Sequence, residues 1–205
     1  ALEIYPNKIT VVATHQNDQF AISQEEELIN GLGPFGLPEA RINRAIEWMD
    51  PYELNLLDGY LNGDNNIAIS IDSGIEDEIL QIKVRFVSRN ALNNHKLVVY
   101  LLEDGLIADQ SNYLNFDETS YFYNQGNPII DYEHSDVLRH TFTNILGDQL
   151  VNIEPYEDVI NFYNIDLSTN NFQTENLRIV AFITDSENLT INSQYVSAGE
   201  FQDFN

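Results

Sequence analysis

The sequence predicts an α+β chain in two parts. Residues 1–62 form a mixed helix and strand region, and residues 63–205 form an antiparallel β-sandwich. Helical spacing of apolar residues ends before residue 62, and alternation of apolar with polar residues begins after residue 66. Hydrophobic residues make up 43% and aromatic residues 11% of the chain, which suits a packed core and argues against disorder. No helix long enough for a parallel crossover separates the later strands, so an antiparallel sandwich is expected, with an immunoglobulin-like arrangement as one solution.

The first part begins with two strand predictions. Ile9 to Thr14 is a continuous β-branched and apolar run, which is typical of a strand buried on both faces. Residues 39–48 follow a Gly-Leu-Pro step and are predicted to form a second strand.

Two helices are also predicted in this region. Ser23 to Glu26 has the Ser-x-x-Glu form of a capping box, and the glycines at 31 and 33 predict the end of that helix. Asp50 to Glu53 places Asp, Pro and Glu in the order expected at a helix start. Leu54, Leu57 and Leu61 then follow at the spacing of one apolar helix face.

The second part consists of strands separated by turn-forming residues. The polar run 62–66 marks the boundary between the two parts. A long irregular stretch over residues 109–136 interrupts the strands and is expected to be functional or mobile. The predicted strands cover residues 67–71, 80–86, 96–103, 159–167, 177–184 and 189–196.

The charge balance restricts the partners of the chain. It carries 9 basic and 33 acidic residues, a net charge of −24, so binding to nucleic acid is not expected. Anionic lipid headgroups are disfavoured for the same reason. No cofactor is predicted. Clusters of acidic residues make calcium a weaker alternative, with Asp64, Asp72 and Asp77 as candidate ligands, although their spacing does not match an EF-hand loop.

The segment from Phe35 to Arg44 resembles the proline loop of a thioredoxin-like domain. In that family the loop faces a Cys-x-x-Cys pair, but this chain contains no cysteine. The resemblance therefore implies a partial thioredoxin-like domain over residues 1–62 that lacks its Cys-x-x-Cys half. It makes Leu37 and Pro38 candidates for binding an extended peptide through the backbone.

A second motif covers Asp131 to His140 and continues to Gly147 and Asp148. Its Tyr132-x-His134 and Val137-Leu138-Arg139 steps resemble the C-terminal domain of the Omp28-like outer membrane lipoproteins of Bacteroidetes. The strands 99–104 and 176–185 also match the pattern of that family. Family members join a thioredoxin-like domain to a β-sandwich, so the resemblance extends over nearly the whole chain.

The Omp28-like resemblance implies a lipoprotein subunit at the outer membrane, the cell surface or the periplasm of a Gram-negative bacterium. A non-enzymatic protein that binds an envelope protein is the favoured function, although enzymatic activity is left undecided. One alternative is a thiol-disulfide oxidoreductase whose Cys-x-x-Cys lies upstream of Ala1. Another is a glycan-binding sandwich that uses surface aromatic residues.

The candidate site residues fall into two groups. The irregular stretch carries five aromatic residues that either bind a partner or cover the end of the sandwich core, namely Tyr113, Phe116, Tyr121, Phe122 and Tyr123. The family motif supplies Tyr132, His134, Asp136 and Arg139. A structural role is favoured for this second group, with Arg139 paired to a carboxylate, because no nucleophile elbow or zinc-binding helix motif accompanies it.

Overall fold

Two antiparallel sheets packed face to face form the body of the protein in a computed structural model. The structure describes residues 3–5, 8–33, 36, 39–49, 52–61, 63 and 65–205. One sheet has four strands in the order β10-β4-β3-β13. These are β3 (Ile67–Glu76), β4 (Ile79–Ser88), β10 (Asp158–Asp166) and β13 (Phe201–Gln202).

The second sheet has the order β12-β11-β5-β8, and β9 pairs with the first residues of β5. All of its strand pairs are antiparallel, as the sequence predicts. Its strands are β5 (Lys96–Glu103), β8 (Val137–Thr141), β9 (Asp148–Gln149), β11 (Leu177–Thr184) and β12 (Thr190–Ser197).

The sandwich core lies between these two sheets. Ile69, Ile71 and Phe86 of the first sheet are fully buried against Leu101 and Ile179 of the second. Residues of β4 alternate between buried and more accessible positions, as a strand with one core face should. The predicted β-sandwich is therefore confirmed.

The second face of the five-stranded sheet is also buried. Val98 and Tyr100 of β5 and Phe182 of β11 pack beneath Leu28, which belongs to helix α1 (Glu25–Leu32). Strands β5 and β11 are thus covered on both faces, which explains why their sequences are continuous apolar runs. Residues that precede the sandwich in the chain therefore pack on this second face of the five-stranded sheet.

The predicted strand over residues 9–14 is wrong. The segment makes only an isolated bridge, in which Ala13 accepts from Leu138 N and donates to Asp136 O, both at 2.8 Å. Val12 packs on the sheet and Ile9 is half-buried, so the apolar run reflects burial against a sheet and not membership in one. Ala13 thereby covers the first residues of the free edge of β8.

The single strand predicted over residues 39–48 is a hairpin. Strand β1 (Ala40–Ile42) pairs with β2 (Ile46–Trp48), and Asn43 and Arg44 both have positive φ, 48° and 72°. The Arg44 side chain reaches the covered face of the five-stranded sheet, where Nη2 donates to Ile145 O at 2.8 Å. Burial lowers the pKa of Arg44 and raises the pKa of its neighbour Tyr100 to about 12.

Both predicted helix starts are displaced. The N-cap of α1 is Gln24, and the Ser23 hydroxyl donates to the Gln24 side chain at 2.9 Å, so no capping box forms. Helix α2 (Asn55–Leu61) begins after Glu53, and Asp50 and Pro51 lie outside the described residues. Its predicted apolar face is present, because Leu57 is buried and Leu54 and Leu61 are half-buried. None of the described helices is long and apolar enough to cross a membrane.

Candidate functional site: an aromatic loop on a hairpin

The irregular stretch predicted over residues 109–136 is more ordered than expected. Strands β6 (Leu106–Gln110) and β7 (Ile129–His134) pair as an antiparallel hairpin, with a register shift between Ala108 and Gln110. The charged and polar composition of β7 and this irregularity conceal the hairpin in the sequence. The remaining connection, residues 111–128, is called the aromatic loop below.

Four aromatic side chains of the loop point to solvent. Tyr113, Phe116 and Tyr121 are 74%, 87% and 84% exposed, and Tyr123 is 44% exposed. Phe122 is half-buried and its ring lies 6.3 Å from that of Tyr132 on β7. Of the five aromatic residues predicted at a partner surface, Phe122 therefore anchors the loop and the others are available for contact.

A buried asparagine holds the loop together. Asn112 donates through Nδ2 to the carbonyls of Phe122 and Gly126, both at 2.9 Å, and accepts from Leu114 N at 3.1 Å. Asn115 accepts from Gly126 N at 2.8 Å. These bonds join both ends of the loop, so the exposed rings are carried on a hydrogen-bonded scaffold. Asn112 has no distinguishing signal in a sequence rich in asparagine.

The hairpin extends the exposed apolar surface. Ile107 on β6 and Ile130 on β7 are 54% and 63% exposed. Residues 107–133 contain five carboxylates, Asp109, Asp117, Glu118, Asp131 and Glu133, and no lysine or arginine. The surface thus combines apolar rings with a negative charge, and monomeric proteins rarely expose large apolar patches without a binding role.

A group of rings beneath the hairpin, His15, Phe20, Tyr132 and His134, is called the histidine cluster. The His134 ring centroid lies 5.0 Å from that of His15, 5.3 Å from Phe20 and 4.9 Å from Tyr132, all edge-on. His15 Nδ1 is 2.7 Å from Asp18 Oδ2. The cluster packs the polar segment 15–20 against the hairpin, and His15 and Phe20 are members that the sequence did not single out.

The remaining motif residues lie in an acid–arginine cluster, which consists of Glu103, Asp104, Asp136, Arg139 and Arg178. Arg178 forms salt bridges with two carboxylates. Its Nη2 lies 2.7 Å from Asp104 Oδ2, and its Nη1 lies 2.5 Å from Asp136 Oδ1. Arg139 Nη1 lies 3.1 Å from Oε2 of the fully buried Glu103, at an angle outside hydrogen-bond geometry. Burial raises the pKa of Asp136, reinforced by Asp104 and opposed by Arg178. Glu103 could have been noticed as a charge that ends an apolar strand.

The other candidate residues are not brought together. Leu37, Pro38 and Asp64 lie outside the described residues. Asp72 is exposed opposite Lys83, and Asp77 is exposed in the turn after β3. Within the described ranges, no group of three or more His, Asp or Glu side chains could hold a metal ion.

Burial lowers the pKa of His134, with His15 adding to the effect and contacts with Ala108 and Asp18 opposing it. The unfolded chain therefore binds a proton at this position more readily than the folded one. The stabilisation is complete above the ordinary histidine pKa of 6.5 and is lost as pH falls through the lower folded value. We expect the free energy of unfolding to decrease between pH 7.5 and 5.5, measured by urea denaturation.

His134→Phe keeps an aromatic ring in the cluster and should reduce that pH dependence. His140 is the second histidine whose pKa burial lowers, so His140→Gln serves as the comparison for its separate contribution of the same sign. A His134→Phe protein with the same slope as the natural protein would contradict the assignment.

A family model described as outer membrane protein Omp28 matches residues 25–202. Two solved structures from Porphyromonas gingivalis are similar to this chain. HBP35 has a TM-score of 0.60 and 15% identity over 83% of this chain and 55% of that one, so this chain spans about half its length. A domain of the outer membrane lipoprotein Omp28 has a TM-score of 0.41 and 22% identity over 67% of this chain and 92% of that one. No curated protein sequence matches. The likeness to HBP35 shows the fold alone.

Proposed function

Because this chain belongs to the family of outer membrane protein Omp28, we propose that it is a non-enzymatic envelope protein that binds a protein partner through the aromatic loop. Family membership locates it at the outer membrane, the cell surface or the periplasm of a Gram-negative bacterium. A lipid anchor on an upstream cysteine remains part of the proposal.

The observation that carries the proposal is the combination of exposed rings with a fixed scaffold. Tyr113, Phe116 and Tyr121 are more than 70% exposed, yet Asn112 and Asn115 hold the backbone that carries them. Rigid aromatic side chains provide contact area with little loss of conformational entropy on binding. A loop that served only to cover the sandwich core would bury these rings.

The chemistry of the surface indicates the kind of partner. Exposed Ile107 and Ile130 widen the apolar area beyond the rings, which favours a protein surface over a sugar. The five carboxylates of residues 107–133, with no basic residue among them, favour a partner whose contact rim is basic. Stacking of a sugar on Tyr113 or Tyr121 is the second candidate, because exposed tyrosine rings also suit a glycan.

Crosslinking in the native envelope tests the proposal. A photoreactive aromatic residue replaces Tyr121 in the loop or, as the control, Tyr60 on α2, which is 44% exposed. We expect a defined crosslinked protein from position 121 and none from position 60. Equal products at both positions, or no product at 121, would contradict the proposal. Polysaccharide as the product would favour the glycan alternative.

The same proposal includes two statements about the fold. Residues 1–62 are proposed to be the remaining part of a thioredoxin-like domain, and the sandwich is proposed to be immunoglobulin-like. A structure of the full-length gene product tests both. The oxidoreductase alternative requires cysteines, which this sequence does not contain.

A further inference from the structure

Strand β10 is a long sheet edge with one pairing partner. Its nine residues pair with β4 from Asp158 opposite Val87 to Asp166 opposite Ile79. In the described part of the chain, no strand pairs with its other side. Alternate N–H and C=O groups of such an edge point away from the sheet and are available to another strand.

The other sandwich edges are short or are met by other parts of the chain. The eight-residue edge strand β12 is met at two backbone groups, since Thr190 N donates to Asn43 O at 2.9 Å and Ser193 O accepts from Asn205 Nδ2 at 2.7 Å. Ala13 covers the first residues of the five-residue strand β8 through two backbone hydrogen bonds of 2.8 Å. At the far side of the four-stranded sheet, the edge strand β13 has only two residues. Short or covered edges are the usual protection against pairing with other chains, and β10 has neither form of protection.

Most of the other common protections are also missing from β10, whose only charged side chains, Asp158 and Asp166, are its first and last residues. The strand contains no proline or lysine, and its register with β4 has no bulge. Phe162 is 74% exposed on the outer face and Ile160 is exposed beside it. Asn161 points the other way and its Nδ2 is buried without a hydrogen-bond partner. An added strand would cover the two apolar side chains and could offer an acceptor to Asn161.

Charge identifies the strand that would fit. Residues 148–166 contain five carboxylates, Asp148, Glu154, Glu157, Asp158 and Asp166, and no lysine or arginine. Of these, Asp158 is neutralised by Arg85 of β4, at 2.7 Å. A second copy of the chain would bring the same five carboxylates to this edge and also carries a net charge of −24, which opposes self-pairing.

We propose that β10 receives an extended, basic segment of a partner protein as an added strand. Valine or other apolar side chains of that segment would pack beside Val159 and Ile165 and extend the apolar face of β10. Its arginine side chains would lie over Phe162 and near the carboxylates at the ends of β10. This surface is distinct from the aromatic loop, so the inference goes beyond the proposed function.

The probe for this test is a fluorescent decapeptide of alternating valine and arginine. We expect it to bind the purified chain and to slow amide hydrogen exchange within residues 158–166. Methylation of alternate peptide nitrogens removes backbone donors and keeps the charge, and at least one of the two methylation registers should weaken binding about tenfold. A valine–glutamate peptide should not bind.

Variants of the chain distinguish binding at the β10 edge from non-specific electrostatic attraction of a basic peptide. Phe162→Thr should weaken binding roughly two- to fivefold through loss of a cross-strand aromatic contact. Phe201→Thr removes a similarly exposed ring from β13 and should leave binding unchanged. Tyr121→Ser should also bind normally, so this test is independent of the aromatic loop.

Four results would overturn the proposal. They are absence of binding, methylated peptides of both registers that bind as tightly as the unmethylated peptide, protection confined to residues outside β10, and sedimentation that shows dimers of the chain that the peptide dissociates.

Discussion

Replacement of Asn112 by alanine is expected to open the aromatic loop while the sandwich stays folded. The change removes two donors and one acceptor, and it leaves the carbonyls of Phe122 and Gly126 without their partner. A buried group left unpaired costs about 1–3 kcal/mol, and the low end applies here because both bonds are only partly buried, so the free energy of local opening should fall by about 2–3 kcal/mol. Amide hydrogen exchange within residues 111–128 measures this change directly.

Two variants make the Asn112 experiment specific. Asn112→Asp keeps the shape and the acceptor, but it places a carboxylate against two carbonyl oxygens and should open the loop as well. Ser111→Ala alters the neighbouring exposed residue, and its exchange should match that of the natural protein. Unchanged exchange in Asn112→Ala would show that the loop is held by other contacts.

Replacement of Arg139 by alanine is expected to destabilise the whole protein. The carboxylate of Glu103 is fully buried and would keep only the hydrogen bond from Gln173 N, at 2.7 Å. Removing one partner of a buried ion pair costs about 3–5 kcal/mol. Arg139 also lies over the rings of Phe20 and Phe172, so its loss removes packing between the segment 15–20 and the sandwich. Equilibrium urea unfolding gives the change in free energy.

A double variant distinguishes charge from packing in this case. Glu103→Gln with Arg139→Met keeps an acceptor for Gln173 N and removes both charges, so most of the stability should return. Arg85→Ala breaks an exposed pair with Asp158 and should have little effect, because exposed ion pairs contribute little. A small loss in Arg139→Ala, or no recovery in the double variant, would contradict the account.

The sandwich could be predicted from the sequence because its signal is local. Ile67 to Ile71 and Leu80 to Phe86 alternate with polar residues, and this period follows directly from one buried face. The run over residues 96–103 is also unambiguous, since both faces of β5 are buried. Each of these patterns depends only on which side of a strand meets the core.

The first part of the chain could not be predicted in the same way. The run Ile9 to Thr14 has the composition of a strand, but burial against β8 accounts for its apolar residues without sheet pairing. The hairpin turn places Arg44 at a positive φ, which is unusual for this residue, and contacts with Ile145 and Tyr100 fix it there. Those partners are more than 50 residues away along the chain, so no local pattern in the sequence predicts the turn.

The exposed aromatic side chains of the candidate site could be predicted from the sequence, but the hydrogen bonds that hold the loop could not. Aromatic residues in a long loop indicate a contact surface, and Tyr113, Phe116 and Tyr121 are exposed. The scaffold depends on Asn112, whose bonds reach 10 and 14 residues along the chain, and no sequence signal separates it from the other asparagines. The hairpin that carries the loop was missed for a related reason, since β7 is rich in polar residues.

Binding of a partner through the aromatic loop is tested by the affinity of the purified crosslinked partner for three forms of the chain. The triple variant Tyr113→Ser/Phe116→Ser/Tyr121→Ser should bind at least about 30-fold more weakly than the natural protein, as expected for loss of aromatic anchors worth 2 kcal/mol or more. Tyr60→Ser should bind like the natural protein. A triple variant whose affinity stays within about twofold of the natural value would show that the aromatic loop is not the binding surface.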